Sequence, residues 1–324
     1  MPKRCSTKNL LTLLAPTPSR AGVGIFEFTD DYSVFHYGKM PDQIDGKGEA
    51  IARMAAMNFG LFAAHGIETH FRRVVGPRQI EFELLRILDP AVAPIPEGER
   101  NYFIPLQVVF RNSLPPGSSV FRRISRGVAT PAQFGWSRLP EPGTVLDGPV
   151  IEFMTKLEEI DRFIDETEAR RLAGLSESQM TIVKQLTGAV NEVITCQAGL
   201  IDLHHADGKL EFGINDRGTI MLVDVAGTPD ENRFLFDGCD IGKQIMRNFY
   251  APFELERKIQ RWAAAGVPRS AWERPSPLPA ALLDPLSQLY KSLCEAWTGE
   301  CPWNAPSLTD MVRTLKSVGV PVCN

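Results

Sequence analysis

The chain lacks a dominant charge, a long apolar run, an internal repeat and a histidine- or cysteine-rich tract. Its 324 residues carry 35 Lys and Arg against 39 Asp and Glu, a formal net charge of −4. That balance gives no electrostatic case for nucleic acid as a partner. No apolar run approaches the ~20 residues of a membrane span. The stretch Leu10–Ala15, which follows a basic N-terminus, is too short and mixed for a signal peptide. The six cysteines (Cys5, Cys196, Cys239, Cys294, Cys301 and Cys323) show no metal-site spacing. They are expected to be free thiols of a cytoplasmic protein. Five histidines include the adjacent pair His204–His205, which reads as a loop feature more readily than as a metal site. What is present is an ordinary globular composition, 44% hydrophobic and 23% charged, in a chain long enough for one large domain or two to three smaller ones.

Local patterns place several elements. Val23–Phe28 is rich in β-branched and aromatic residues and reads as a strand. Glu49–Ala64 has helical composition, with Met54, Met57 and Leu61 at three-to-four spacing, and ends before Gly66. Tyr102–Phe110 is a strand broken by Pro105. Leu114–Gly117 and Pro140–Gly148 are read as loops. Ser176–Gln179 resembles a capping box, and Met180, Val183, Leu186, Val190, Val193 and Ile194 continue one apolar stripe, which gives the clearest helix. Helices are expected within Ile241–Ala264. After the proline-rich stretch Pro268–Pro285, two short helices are expected to close the chain.

The stretch Gly208–Arg233 concentrates the chemistry. Gly208–Ile214 and Thr219–Asp224 alternate or are β-branched around Asn215–Gly218, a turn sequence, so the segment reads as a β-hairpin. A four-residue loop would pair 214 with 219. Lys209 would then face Asp224, with Glu211 diagonal to it, all on one face. One cation and two carboxylates converging in this way suit Mg²⁺ and a phosphate. The plainer alternative is a surface hairpin with a cross-strand salt bridge, and a one-residue slip in register would break the convergence.

With these pieces in place, the chain resembles the SAICAR synthetase family (phosphoribosylaminoimidazole-succinocarboxamide synthases of purine biosynthesis) from about Gly24 to Tyr250. Phe28–Phe35 resembles the family's F-x-D-x-x-S segment, Gly46–Gly48 its K-G element, and Gly66–His70 its G-I-x-T-H. Pro105–Asn112 is similar to P-L-E-V-V-V-R-N, and Gly117–Ser118 with Arg122–Arg123 to the G-S-x-x-x-R that follows. Asp207–Gly213 and Asp224–Arg233 resemble D-x-K-L-E-F-G and D-E-x-S-P-D-x-x-R. The resemblance implies an α+β fold of two lobes, with an antiparallel-sheet N-terminal lobe over 1–104, a larger second lobe over 105–324, and ATP between them. It implies an ATP-dependent ligase, using Mg²⁺, that joins the carboxylate of CAIR to the amine of L-aspartate by way of an acyl phosphate. These small molecules would be its partners, with no nucleic acid or membrane, and a homo-oligomer is left open.

The same resemblance distributes the roles. Glu211 and Asp224 would hold the metal. Lys209, Asp224 and Arg233 would be catalytic. Arg111, Ser118, Arg233, Lys243 and Arg247 would bind the substrate's carboxylate and phosphate, for which the arginine fork is suited. The family's N-terminal G-K-x-K phosphate loop is missing, and Ala15–Gly24 stands in its place. Arg20, Gly22 and Gly24 would therefore meet the nucleotide, together with Lys209 and Glu211. Val225 replaces the glutamate after the metal aspartate, and Leu203–Ala206 looks like an insertion. These departures admit a relative that ligates a different amino acid or a related azole carboxylate, or one that binds nucleotide without catalysis.

Overall fold

The computed structural model describes residues 6–319. Strand β1 (Lys8–Leu14) turns through a bridge between Thr17 and Arg20 into β2 (Gly22–Phe28). Along β2, buried Gly22, Gly24, Phe26 and Phe28 alternate with half-exposed neighbours, the period-two pattern of a strand with one buried face. The entry to β2 is tight: a Cβ on Gly22 would lie 2.3 Å from the Leu14 carbonyl oxygen, so only glycine closes this hairpin. A small ribbon follows, β3 (Asp31–Ser33) with β4 (Lys39–Gln43), and then helix α1 (Lys47–Ala64). Strands β5 (Phe71–Gly76) and β6 (Gln79–Leu84) complete a four-stranded antiparallel sheet in the order β1-β2-β6-β5.

The second sheet begins with two short parallel strands, β7 (Arg86–Ile87) and β8 (Tyr102–Phe103). Pro105 separates β8 from β9 (Leu106–Ser113). Helix α2 (Ser119–Ser125), strands β10 (Val145–Thr155) and β11 (Phe163–Ile164), and helices α3 (Glu166–Ala173) and α4 (Glu177–Gly199) come next. Then follow β12 (Leu203–Ile214), β13 (Ile220–Val223), β14 (Asn232–Phe236) and β15 (Cys239–Ile241). The nine strands run β11-β10-β9-β12-β14-β15, with β13 and β8 also paired to β12. Helices α5 (Lys243–Tyr250), α6 (Leu255–Ala264), α7 (Ala280–Thr298) and α8 (Leu308–Ser317) close the chain. The architecture is α+β. One continuous apolar cluster runs through it, and α7 packs on α1, so the end of the chain supports its beginning.

The capping box of α4 is formed: Ser176 Oγ accepts from the Gln179 backbone at 3.2 Å and the Gln179 side chain accepts from the Ser176 backbone at 2.9 Å. Four expectations need correction. The Pro140–Gly148 loop ends early, because β10 starts at Val145 and absorbs Gly148 and Pro149 in an irregularity of its ladder with β9. The closing helices are not both short: α7 has 19 residues and carries Pro285 in its second turn. There the buried Leu282, Leu286, Leu289 and Leu293 outweigh one forfeited backbone donor. His204 and His205 lie in β12, not in a loop. Among the described cysteines, Cys196, Cys294 and Cys301 are thiols but Cys239 is disulfide-bonded, a pairing that spacing along the chain did not signal. Cys5 and Cys323 lie outside the described residues.

Candidate active site

Strand β12 carries the site, and a bulge sets which face it serves. Leu203 and His205 are buried, then the parity switches, so that Gly208, Leu210 and Phe212 are buried while Asp207, Lys209 and Glu211 are half-exposed. The switch coincides with the break in register against β14 between His205 and Asp207. The stretch that looked like an insertion is therefore the start of β12 together with its bulge. Beyond the bulge, Asp207 sits opposite Arg111 of β9 and opposite Arg233 of β14, and Lys209 sits opposite Val109.

Along this face runs a chain of ion pairs. Arg111 Nε donates to Glu152 at 2.8 Å, and its other arms reach Asp207 at 3.4 Å and Ser119 Oγ at 3.1 Å. Arg123 also binds Glu152, at 2.5 Å, with its guanidinium 3.6 Å from the centre of the Phe163 ring. Arg233 Nε lies 3.7 Å from Asp207. Ser118 caps α2, accepting from the Val120 backbone at 3.4 Å, and a Cβ on neighbouring Gly117 would lie 3.7 Å from Arg233 Nη1, so that loop borders the same place. Lys209 binds Glu231 at 2.8 Å.

Helix α5 adds Lys243 and Arg247. Among the described residues neither has a carboxylate at ion-pair distance, and Arg247 donates to Gln244 at 3.3 Å. Burial, with Lys209 alongside, pushes the Lys243 amine down to about 7. Burial and then Arg233 lower Arg247 as well. Cations thus outnumber carboxylates here, and a buried lysine and a half-buried arginine short of counter-charge are ready to take an oxyanion.

The carboxylate pair lies at the far end of the same hairpin, in a register that differs from the expected one. Glu211 pairs with Val223 and Ile214 with Ile220, one residue out from a 214–219 pairing. The extra turn residue is held by Asn215, whose side chain accepts from the backbone of Arg217 at 3.0 Å and Thr219 at 2.9 Å. Lys209 consequently does not face Asp224. Asp224 has φ 58°, which turns it out of the ladder, and the buried His70 ring donates to its carbonyl at 3.0 Å. Lys156, just past β10, binds Glu211 and also feels Asp224, and Lys8 of β1 binds Asp224. Burial would raise the Asp224 carboxyl, but Lys8 and Lys156 outweigh it and hold it below the usual range. Burial lowers Lys156, yet Glu211 and Asp224 together raise it above the ordinary lysine value.

Glu211 and Asp224 fit a magnesium ion in donor chemistry and charge. No group of three His, Cys, Asp or Glu side chains is set to hold a metal among the described residues. The remaining coordination would therefore come from water and phosphate oxygens, which is how Mg²⁺ is commonly bound. A cleft of about 10 Å³, room for one water, is bounded by Lys8, Thr29, Lys47, Val225, Asp230 and Glu231.

The nucleotide candidates at the N-terminus divide. Arg20 is exposed at the tip of the β1–β2 turn, about 20 Å from Lys8 by strand rise. Gly22 and Gly24 are accounted for by packing, against the Leu14 carbonyl and the Phe82 ring. Lys8, Lys156, Glu152 and the bridging role of Asp207 were missed. For Asp207 the signal was present, because it opens the D-x-K-L-E stretch. Lys8 and Lys156 sit in stretches with no motif.

The fold is that of an α+β protein, and strand β12 carries Asp207, Lys209 and Glu211 on one face beside a cluster of basic side chains. The SAICAR synthetase family profile matches residues 17–260. A chain of Archaeoglobus fulgidus, provisionally assigned as a phosphoribosylaminoimidazole-succinocarboxamide synthase, is 36% identical over 97% of this chain and 99% of its own length. The synthase of that name from Thermoplasma acidophilum is 29% identical over 85% of this chain and 93% of its own. A solved SAICAR synthetase in complex with ADP superposes with TM-score 0.59 at 26% identity, covering 84% of this chain and 97% of that one. The yeast SAICAR synthase complexed with SAICAR shares the fold, with TM-score 0.66 at 18% identity over 92% of this chain and 94% of that one. The chain belongs to the SAICAR synthetase family.

Proposed function

We propose that this protein is an ATP-dependent carboxylate–amine ligase of purine biosynthesis that joins the carboxylate of CAIR to the amine of L-aspartate. The observation that supports the reading is the cluster of Arg111, Arg233, Lys243 and Arg247 around β12, the strand that also carries Glu211, whose partner Lys156 interacts with Asp224 as well. The pocket suits a substrate that bears both a phosphate and a carboxylate. Glu211 and Asp224 would hold Mg²⁺, which when bound neutralises the phosphate oxygens of ATP.

A carboxylate is a poor electrophile, so its oxygen first attacks the γ-phosphorus of ATP and the bond to ADP breaks. The amine nitrogen then attacks the acyl carbon, the carbon–oxygen bond to phosphate breaks, and the nitrogen loses a proton. Both steps ask mainly for positioning and charge neutralisation. Arg111 and Arg233, held by Asp207 and Glu152, would orient the azole substrate, with Ser118 and Ser119 at its edge. Lys209 would face transferring phosphate once Glu231 releases it, and Lys8 and Lys156 would flank the metal pair. We further propose two lobes with ATP between them, the boundary at 104/105 leaving in the first lobe the short strands β7 and β8 that pair with the second sheet, and a cytoplasmic location. Among the described residues no helix is long and apolar enough to cross a membrane.

The test is product analysis with purified protein. ADP and phosphate should form only when ATP, Mg²⁺, CAIR and L-aspartate are all present. Formation of AMP and pyrophosphate would reject the acyl-phosphate route. A panel of amino acids in the same assay fixes the amine, the choice that Val225 and the bulge at 205–207 bear on.

A further inference from the structure

His205 takes no part in the proposed chemistry, yet it occupies a specific place. It is buried at the bulge that turns Asp207, Lys209 and Glu211 to the open face. Its Nδ1 lies 2.9 Å from Thr195 Oγ1 of α4, and its Nε2 lies 2.9 Å from Asn232 Oδ1 of β14. Because Asn232 offers its carbonyl oxygen, Nε2 donates there, and Nδ1 is left to accept from the threonine hydroxyl, whose alternative acceptor is Asn191 Oδ1 at the longer distance of 3.3 Å. Burial drives the imidazole down to about 4, so the ring is neutral and this single tautomer holds across neutral pH. The ring also packs edge-on to Phe110, at 5.3 Å, and against Phe234, at 5.1 Å.

Asn232 precedes Arg233 and crosses over Gly208, where a Cβ would stand 2.2 Å from Asn232 Oδ1. Behind it, Asn112 and Asn191 exchange hydrogen bonds at 2.9 and 2.8 Å, and the Asn112 side chain also donates to the His205 carbonyl at 3.1 Å. The bulge is therefore fastened on three sides: to the helix behind, to the strand that carries Arg233, and to the strand that carries Arg111. A slip by one residue at this point would send Asp207 and Lys209 into the core and leave both arginines without their shared carboxylate.

We propose that His205 is a positioning residue for the azole-substrate pocket: it pins the β12 bulge so that Asp207 holds Arg111 and Arg233 at the spacing that receives the substrate's anionic groups. The proposal rests on the functional reading above. It assigns His205 no contact with substrate or nucleotide. Its signature is selectivity, since Asp207 lies two residues from the pinned ring, whereas Glu211, six residues on, is held independently by its ladder with Val223 and by Lys156.

The experiment measures calorimetric binding of CAIR and, separately, of ADP with Mg²⁺, to wild type and to His205→Phe, His205→Gln and Thr195→Val. His205→Phe keeps an apolar ring but removes both hydrogen bonds. It should weaken CAIR on the order of tenfold and leave ADP within about twofold. His205→Gln can still donate to Asn232 and accept from Thr195, and should recover most of the loss. Thr195→Val removes the rear bond, together with the 3.3 Å contact of the same hydroxyl to Asn191 Oδ1, with little change of volume, and reports in the same direction should His205→Phe fail to fold. If CAIR binds the Phe and Val variants as it binds wild type, or if both ligands weaken in parallel, the proposal is overturned and the functional reading stands. If wild type binds ADP but not CAIR, the functional reading falls and this proposal falls with it.

Discussion

Lys47, the first residue of α1, donates to Asp230 at 2.5 Å across 183 positions of sequence, and both side chains are buried. Tyr290 of α7 donates to the other Asp230 oxygen at 2.9 Å. Burial would raise the Asp230 carboxyl, but Lys47 and Lys243 overcome it and keep the group ionised. The pair ties the start of α1 to the loop that delivers Glu231 and Arg233. The K-G element and the P-D-x-x-R element of the sequence are thus the two ends of one clamp.

Removing one partner leaves a buried charge without compensation, which costs about 3–5 kcal/mol. Lys47→Met should lower the urea midpoint accordingly. The double variant Lys47→Met with Asp230→Leu should be less destabilised than the two single losses added together. Additive losses, or a Lys47→Met midpoint equal to wild type, would show that the clamp does not hold the loop.

Asp224 is predicted to be a metal ligand whose backbone matters as much as its charge. With φ 58° it occupies a conformation that asparagine tolerates well and most residues do not. Asp224→Asn should therefore keep the fold but lose at least ~100-fold in turnover, on the order of 3 kcal/mol of barrier. Asp224→Ala should lose the same activity and some stability besides. Unchanged turnover of Asp224→Asn at saturating Mg²⁺ would remove the metal assignment and leave a lysine–carboxylate salt bridge as the role of this residue.

Much of the fold was legible because its signals are local. The α4 helix carries its own capping box and stripe, and Pro105 punctuates β8 and β9 within a few residues. Other features depended on groups far apart. The hairpin register turned on Asn215 folding its side chain back onto the loop, and one residue of difference moved Asp224 off the ladder. Cross-strand facing does not bring Lys209 to Asp224; what links Glu211 and Asp224 is Lys156, which binds the first and interacts with the second. Lys8 meets Asp224 over 216 positions, so no window of sequence could reveal it. The length of α7 was hidden by Pro285, whose local cost is overridden by packing onto α1.

Lys8 also changes the expectation for the nucleotide. Arg20 had been the replacement for the missing lysine loop, yet it is exposed about a strand's length from the carboxylates. Lys8→Met should raise the Michaelis constant for ATP by about ten- to a hundredfold, the worth of a charge-assisted contact of roughly 1.5–3 kcal/mol. Arg20→Ala should change it by less than about threefold, because an exposed side chain on a solvated turn gives up little binding energy. Steady-state titrations of ATP at saturating azole substrate separate the two. A large effect at Arg20 with none at Lys8 would return the phosphate site to the hairpin tip.

The pH dependence of azole binding should be governed by Lys243. Its amine is pushed down to about 7, first by burial and then by Lys209, while Asp230 and Glu231 pull the other way. Asp207, Glu256 and Glu231 are the acidic groups that face its neighbour Arg247. Below about pH 7 the free enzyme holds Lys243 charged and the pocket attracts a phosphate dianion. As pH rises through that value the charge is lost and the attraction weakens. The kcat/KM for the azole substrate should therefore fall on the alkaline side with an apparent pKa near 7, while kcat at saturation changes less, because a bound phosphate restores the proton to the amine. Lys243→Met should bind weakly at every pH and lose that limb of the profile. Lys243→Arg, which does not deprotonate in this range, should keep binding and also lose the limb. An alkaline limb that persists unchanged in Lys243→Arg would assign the titration to another group and leave Lys243 as a buried structural amine.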